Sequence, residues 1–141
     1  MRRGILWVTV GVVAGYLIWW LAPAYFKGSE DPRSIGHLSR EAAQLNRSLP
    51  VLIDKETELT ITEAADAMFI YKYRLVNISL DKVDHAKFTA AAKPQLVQNA
   101  CNRPETRNDF LSKGVTMRFS YFDKDQQHIA TIDVTPADCG F

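Results

Sequence analysis

The two cysteines are the residues whose chemistry is easiest to define from the sequence. Cys101 and Cys139 are the only cysteines of the chain, and they lack the Cys-x-x-Cys spacing of disulfide-exchange enzymes. An even number of cysteines in an exported chain is typical of structural disulfides. Because the N-terminal segment described below indicates export, we predict a Cys101–Cys139 disulfide that stabilises the fold. A reactive thiol pair is the alternative.

The histidines and carboxylates form no recognisable catalytic or metal-binding pattern. His37, His85 and His128 lie far apart, and neither His-x-x-x-His nor Glu-x-x-His accompanies any of them. The chain also lacks the Gly-x-Ser-x-Gly, P-loop and Gly-x-Gly-x-x-Gly motifs. We therefore expect that the protein is not an enzyme and that it requires no metal and no cofactor.

Length and charge limit the classes of partner. The chain has 141 residues, of which 47% are apolar, and its 17 Lys and Arg nearly balance its 16 Asp and Glu. This length allows one compact domain with a tail. Since a net charge of +1 provides no strongly basic surface, we expect no nucleic-acid partner.

The first 28 residues have the pattern of a membrane anchor. Residues 5–22 contain no charge, and a helix over 5–26 would be about 33 Å long, enough to cross the ~30 Å hydrocarbon core. Aromatic residues collect at its C-terminal end, where an interfacial belt belongs, and Arg2 and Arg3 favour a cytoplasmic N-terminus. We therefore predict a single-pass membrane protein with an anchor at 1–28 and a domain at 29–141 outside the cytoplasm; the family resemblance given below implies the bacterial inner membrane and the periplasm.

The same segment allows a second interpretation and contains a further motif. Ala22-Pro23-Ala24 has the small-x-small form of a signal-peptidase site, so cleavage is the alternative to a retained anchor. Gly11 and Gly15 have a spacing that lets two membrane helices approach closely, and they predict a homodimer contact. The alternative is that glycine is simply frequent in membrane helices.

Hydrophobic periodicity divides the rest of the chain into helices and strands. Apolar residues three and four apart predict helices, and strict alternation predicts strands. The predicted elements are a helix at 34–49, two short strands within 51–62, a loop at 63–67, a strand at 68–77, a helix at 81–100 that Pro94 kinks or splits, a short helix at 105–113, and a hairpin with strands at 115–122 and 129–134. Segregated strands and helices indicate an α+β fold, with a small antiparallel sheet of four to five strands flanked by helices.

Small residues beside Pro94 predict a binding surface. A proline inside a helix removes one backbone hydrogen bond, and Phe88, Ala91 and Ala92 precede it with one aromatic wall and little bulk. Another chain could therefore approach this helix closely. The alternative is that the alanines pack on the sheet and that Pro94 only marks a bend.

The C-terminal half contains a frame of cysteine, proline and glycine positions. It consists of a Cys-x-x-Pro turn, a glycine that opens an aromatic-rich strand, and a terminal Cys-Gly: Cys101, Pro104, Leu111, Gly114, Val115, Cys139 and Gly140. This frame resembles the small disulfide-bonded pilotins of bacterial type II secretion. The resemblance implies a small antiparallel sheet flanked by helices, one disulfide, and a groove that binds a segment of the secretin, the outer-membrane channel subunit. Pilotins carry a lipidated cysteine directly after the signal peptide, whereas the first cysteine of this chain is Cys101.

Together these patterns predict a membrane-tethered periplasmic protein-binding module. We expect an assembly or accessory factor of a cell-envelope secretion or pilus system, which contacts another envelope protein and, through residues 5–26, the lipid bilayer. The alternative is an envelope inhibitor or immunity protein that blocks an exported toxin or hydrolase. An apolar groove between helix and sheet would favour the first function, and an acidic or aromatic loop projecting from the sheet would favour the second.

A reporter enzyme that is active only in the periplasm should be active when it is fused after Phe141. The physical reason is that residues 5–26 are long and apolar enough to cross the bilayer, and that the very short N-terminal flank with Arg2 and Arg3 favours a cytoplasmic N-terminus, although Lys27 and Arg33 follow the span. Reporter activity measures orientation, and the mass of the purified chain measures retention of the anchor. An inactive reporter would contradict export, and a chain that begins at Tyr25 would contradict a retained anchor.

Overall fold

A computed structural model describes residues 30–141, which form one helix, three strands, two further helices and a final pair of strands. The elements are α1 (Ile35–Asn46), β1 (Val51–Leu52), β2 (Thr57–Ala65), β3 (Met68–Leu75), α2 (His85–Asn102), α3 (Pro104–Asp109), β4 (Thr116–Phe122) and β5 (His128–Val134). Short 3₁₀ turns lie at Leu80–Lys82, Leu111–Lys113 and Pro136–Cys139. The predicted α+β class and the C-terminal hairpin are confirmed.

The predicted anchor at 5–26, with Gly11 and Gly15, lies outside the described residues. Among residues 30–141, no helix has both the length and the apolar composition that a membrane span requires.

The sheet is mixed, and the prediction of an antiparallel sheet is wrong at one pair of strands. Its order is β1-β2-β3-β4-β5, so strands that follow one another in sequence are neighbours. Three pairs are antiparallel, but β3 and β4 are parallel. The reason is the connection between them, because residues 76–115 contain α2 and α3 and return the chain to the end of the sheet where β3 began.

Strand β2 differs from the prediction in its length and in the side chains that it buries. It runs through most of the predicted loop at 63–67 and leaves only a short turn before β3. A bulge between Leu59 and Ile61 shifts the register, so that Leu59 and Thr62 are buried while Ile61 is exposed. Alternation alone assigns Leu59 and Ile61 to one face, because a bulge leaves no clear signal in the sequence.

Helix α1 is fastened to the sheet by Asn46. Leu38 and Ala42 bury the middle of the helix against Phe69. Strand β1 is short and does not reach Thr62 of β2. At Thr62 the Asn46 side-chain amide forms the hydrogen bonds that a neighbouring strand would form: its Nδ2 donates to the Thr62 carbonyl at 2.9 Å, and its Oδ1 accepts from the Thr62 N–H at 2.8 Å. These two hydrogen bonds satisfy the edge of β2 and hold the end of α1 against it.

Helix α2 covers the opposite edge of the sheet. Lys93 Nζ donates to the carbonyl of Asp133, and His85 Nδ1 contacts the carbonyl of Ile129, so two carbonyl groups of the edge strand β5 are occupied. The helix continues through Pro94, which therefore does not split it. These contacts leave fewer backbone groups of β5 free to pair with another strand.

The predicted disulfide is present and joins Cys101 of α2 to Cys139 in the last 3₁₀ turn. The two residues are separated by 38 positions. Closing a loop of that length in the unfolded chain stabilises the fold by about 4 kcal/mol in the chain-entropy model. The bond therefore fixes the C-terminal turn to the end of α2.

Asp123 organises the connection between β4 and β5. Its buried carboxylate accepts hydrogen bonds from the N–H groups of Asp125 and Gln127, each at 2.8 Å, and from that of Leu80 at 2.9 Å. Burial acts to raise the pKa of Asp123, but the three backbone donors and the charge of Lys124 outweigh it and lower the pKa. The carboxylate therefore ties the hairpin loop to the turn that precedes α2.

Replacing Asp123 with Asn should lower the thermal midpoint by several degrees at pH 7. An amide NH₂ cannot accept the backbone hydrogen bonds that one carboxylate oxygen accepts in the wild type. Because the pKa of Asp123 is lowered in the folded state, its contribution is complete above the unfolded pKa near 3.9 and is lost as the pH falls through the folded pKa.

Thermal melts between pH 7 and pH 2 measure both effects, with Asp125→Asn as the matched control in the same loop. The difference between wild type and Asp123→Asn should shrink as the pH falls below about 4. A difference that stays constant down to pH 2, or an equal loss in Asp125→Asn, would contradict this role of the carboxylate.

Candidate functional site

Strands β3 and β4 place four aromatic rings on the face of the sheet that carries the helices. Alternation directs Tyr71 and Tyr73 of β3, and Phe119 and Tyr121 of β4, to this face. The parallel register sets Tyr71 beside Phe119 and Tyr73 beside Tyr121. Neighbouring rings are stacked, with centroids 5.2–6.4 Å apart and interplanar angles of 10–21°. These four rings form the floor of a groove, which we call the tyrosine groove.

Two walls border this floor. Helix α2 forms one wall with Phe88, Ala92 and Leu96, and the β1–β2 loop forms the other with Ile53. The Phe88 ring meets the Tyr121 ring edge-on, at 5.0 Å between centroids. The space between the walls has a volume of about 410 Å³ and is open along its top. It is large enough for several side chains of a bound partner.

The floor combines apolar rings with polar hydroxyl groups. Within residues 30–141, the hydroxyls of Tyr71, Tyr73 and Tyr121 form no hydrogen bond, and since no buried side-chain polar atom there lacks a partner, these hydroxyls reach the open surface of the groove. Burial raises the pKa of Tyr71 and of Tyr121 to about 12, and it raises the pKa of Tyr73 as well. The three hydroxyls are therefore protonated at neutral pH and can donate hydrogen bonds to a partner.

Opposite charges lie at the two ends of the groove. Arg103, in the extended link between α2 and α3, lines the end near Tyr71, and Asp54 of the β1–β2 loop lines the end near Tyr121. Burial has the largest effect on the pKa of each tyrosine, and the charges at the two ends have smaller effects. Arg103 lowers the pKa of Tyr71 and of Tyr73, whereas Asp54 raises the pKa of Tyr121. The groove therefore has a basic end and an acidic end.

Comparison of the fold with solved structures finds clear matches, although no protein-family model and no curated protein sequence matches the chain. The pilotin EpsS of the Vibrio vulnificus type 2 secretion system matches with a TM-score of 0.62 and 17% identity, over 79% of this chain and 96% of EpsS. The type II secretion pilotin AspS of Vibrio cholerae matches with a TM-score of 0.55 and 17% identity, over 72% of this chain and 88% of AspS. The chain has the fold of the type II secretion pilotins.

A third structure extends this comparison. A candidate secreted protein from Pseudomonas aeruginosa matches with a TM-score of 0.62 and 16% identity, over 74% of this chain and 91% of that protein. At these identities the likeness concerns the fold. The resemblance to pilotins that the Cys-x-x-Pro and Cys-Gly frame predicts is confirmed at that level.

In this pilotin fold, the residues predicted to bind lie on different sides of α2. Phe88 and Ala92 line the tyrosine groove. Ala91, the third predicted residue, is exposed and does not line it. Pro94 is also exposed. Contact of Phe88, Ala91 and Ala92 with a partner stays a prediction, and the structure assigns the first two to a surface where such contact is possible.

The three histidines have separate local partners. His85 contacts β5 as described, His128 Nε2 lies 2.8 Å from Thr131 Oγ1, and the His37 N–H donates to the Ser34 hydroxyl at the start of α1. In the part of the chain that the structure describes, no three His, Cys, Asp or Glu are grouped so that they could hold a metal ion.

Analysis of the sequence missed the floor of the groove and Arg103. The available signal was the choice of tyrosine at inward-facing positions of two strands, because a buried tyrosine needs a partner for its hydroxyl whereas leucine or valine does not. Alternation identifies the face of each strand but does not indicate that β3 and β4 are neighbours and parallel. The four aromatic residues could therefore be identified from the sequence, but their assembly into one groove could not.

Proposed function

We propose that this protein is a membrane-tethered periplasmic binding module and acts as an accessory factor of a cell-envelope secretion system. The observation that carries the proposal is the open tyrosine groove, in a fold shared with type II secretion pilotins. The resemblance of the sequence to pilotins implies a segment of the secretin as the bound partner. Residues 5–26 would hold the domain at the inner membrane, which the reporter fusion after Phe141 tests.

The floor of the groove favours a helical partner segment over an extended one. Both β3 and β4 have a neighbouring strand on each side, so no free strand edge borders the floor. An extended segment lying on the rings would leave its backbone N–H and C=O groups without partners, whereas a helix satisfies its own. An amphipathic helix would also cover the rings with an apolar stripe.

The position of the aromatic residues supports this function over an inhibitor or immunity protein. The rings of the groove lie between a helix and the sheet, and they do not project from a loop. The loop between β4 and β5 is held by the buried Asp123. The proposal includes no catalytic activity.

Replacing Ala92 with Arg should reduce the affinity for a periplasmic secretin segment from the same bacterium by at least about tenfold. The new side chain would enter the groove and place a solvated charge on the apolar wall. Ala91→Arg is the matched control, since Ala91 is exposed on the same helix and does not line the groove. Titration calorimetry with the full chain in detergent measures both affinities.

A second pair of variants is needed because Ala92 is partly buried, so that Ala92→Arg could weaken binding by disturbing the fold. Gln95 and Gln98 are both exposed on α2, but only Gln95 lines the groove. Gln95→Arg should weaken binding, and Gln98→Arg should leave it unchanged, with circular dichroism confirming that both variants fold. Equal affinities within each pair, or a loss caused only by Ala91→Arg or Gln98→Arg, would show that the partner does not bind in the groove.

A further inference from the structure

The basic end of the tyrosine groove is built around one arginine whose backbone is fixed. Arg103 connects two helices: its N–H donates to the Asn99 carbonyl at 3.1 Å, and its carbonyl accepts from the Arg107 N–H at 2.9 Å. Its φ and ψ of −83° and 126° are extended. The point from which the Arg103 side chain leaves the backbone is therefore set by α2 and α3 together.

The Arg103 guanidinium lines the groove and forms no ion pair with another described residue. Other basic side chains do form ion pairs: Lys72 with Glu63, Arg74 with Glu58, Lys93 with Asp138, and Arg118 with Asp133. Within residues 30–141, the Arg103 side chain forms neither an ion pair nor a hydrogen bond. Its five N–H groups are thus not used by the residues around it.

Among the described residues that line the groove, Asp54 provides the only carboxylate, and the basic end carries hydrogen-bond donors. Tyr71 lines the same end of the groove as Arg103, and Tyr73 follows it toward the middle of the groove, where Arg103 still lowers its pKa; both hydroxyls are protonated. The Thr106 hydroxyl donates to the carbonyl of Ala100 and is therefore already engaged. A guanidinium, which only donates, and two phenol hydroxyls, which can also donate, form a surface that complements an anion with two oxygens.

We propose that the Arg103 end of the tyrosine groove binds a carboxylate of the docked segment, an inference that rests on the function proposed above. In a polypeptide partner, this carboxylate is an Asp or Glu side chain or the C-terminus. Arg103 supplies charge-assisted hydrogen bonds, and the hydroxyls of Tyr71 and Tyr73 complete them. Asp54 at the opposite end repels a carboxylate, so the two ends together fix the direction in which the segment lies.

Three synthetic peptides test this inference. Each is an 18-residue amphipathic helix with the same leucine stripe; one has a single Glu in its last turn and an amidated end, the second has Gln there and an amidated end, and the third has Gln there and a free C-terminal carboxylate. The full-length protein in detergent should bind the Glu peptide about tenfold more tightly than the amidated Gln peptide. Tighter binding of the third peptide than of the second would identify the C-terminus as an equivalent source of the carboxylate.

Substitutions of the protein distinguish a specific contact from general attraction. Arg103→Gln should abolish the preference for Glu and leave the affinity for the amidated Gln peptide unchanged. Arg47→Gln, at an exposed position beyond α1, should preserve the preference. Tyr71→Phe and Tyr73→Phe keep the stacked rings and should each reduce the preference in part.

The outcomes separate this inference from the function on which it rests. Binding of the Glu peptide and the amidated Gln peptide with equal affinity, or a preference for Glu that survives in Arg103→Gln, would overturn the carboxylate site and leave the groove as a docking surface. Failure of all three peptides to bind would overturn both.

Discussion

The parallel pairing of β3 with β4 is the constraint on which the rest of the structure depends. Parallel neighbours cannot be joined by a tight turn, so the chain must return across the sheet between them, and residues 76–115 supply α2 and α3 on the way. The same pairing sets the register that places Tyr71 beside Phe119 and Tyr73 beside Tyr121. One pairing therefore produces both the floor of the groove and its longer wall.

The helices leave the centre of the sheet open because polar contacts hold them near its edges. Asn46 fastens α1 to the outer side of β2, and Lys93 and His85 hold α2 along β5. Each contact satisfies backbone groups that would otherwise be free to pair with another chain. The same arrangement leaves the aromatic floor partly covered: Tyr73 and Phe119 are buried, whereas Tyr71 and Tyr121 are half-buried and border the groove. A partner segment that covers the rings would bury apolar surface that the domain itself does not cover.

The sequence predicts the elements of this fold better than it predicts their arrangement. Alternation in β3 and β4 identifies the faces of Tyr71 and Phe119, and the Cys101–Cys139 pair follows from the count of cysteines and the indication of export. The bulge before Ile61 and the parallel pairing depend on contacts between distant segments, which local periodicity does not contain. For the same reason, Phe88 and Ala92 could be proposed from the sequence of one helix, but the tyrosine floor could not.

The central claim is that a partner binds in the tyrosine groove, and site-specific photocrosslinking in cells tests it most directly. The photoreactive amino acid p-benzoylphenylalanine would replace Gln95 on the groove wall in one variant and Thr131 of β5 in a control variant. Thr131 is exposed, and because its neighbours Ala130 and Ile132 are buried on the helix side of the sheet, it lies on the opposite face. The account predicts that light produces an adduct with the secretin from position 95 and none from position 131. An adduct from position 131 and none from position 95 would contradict it.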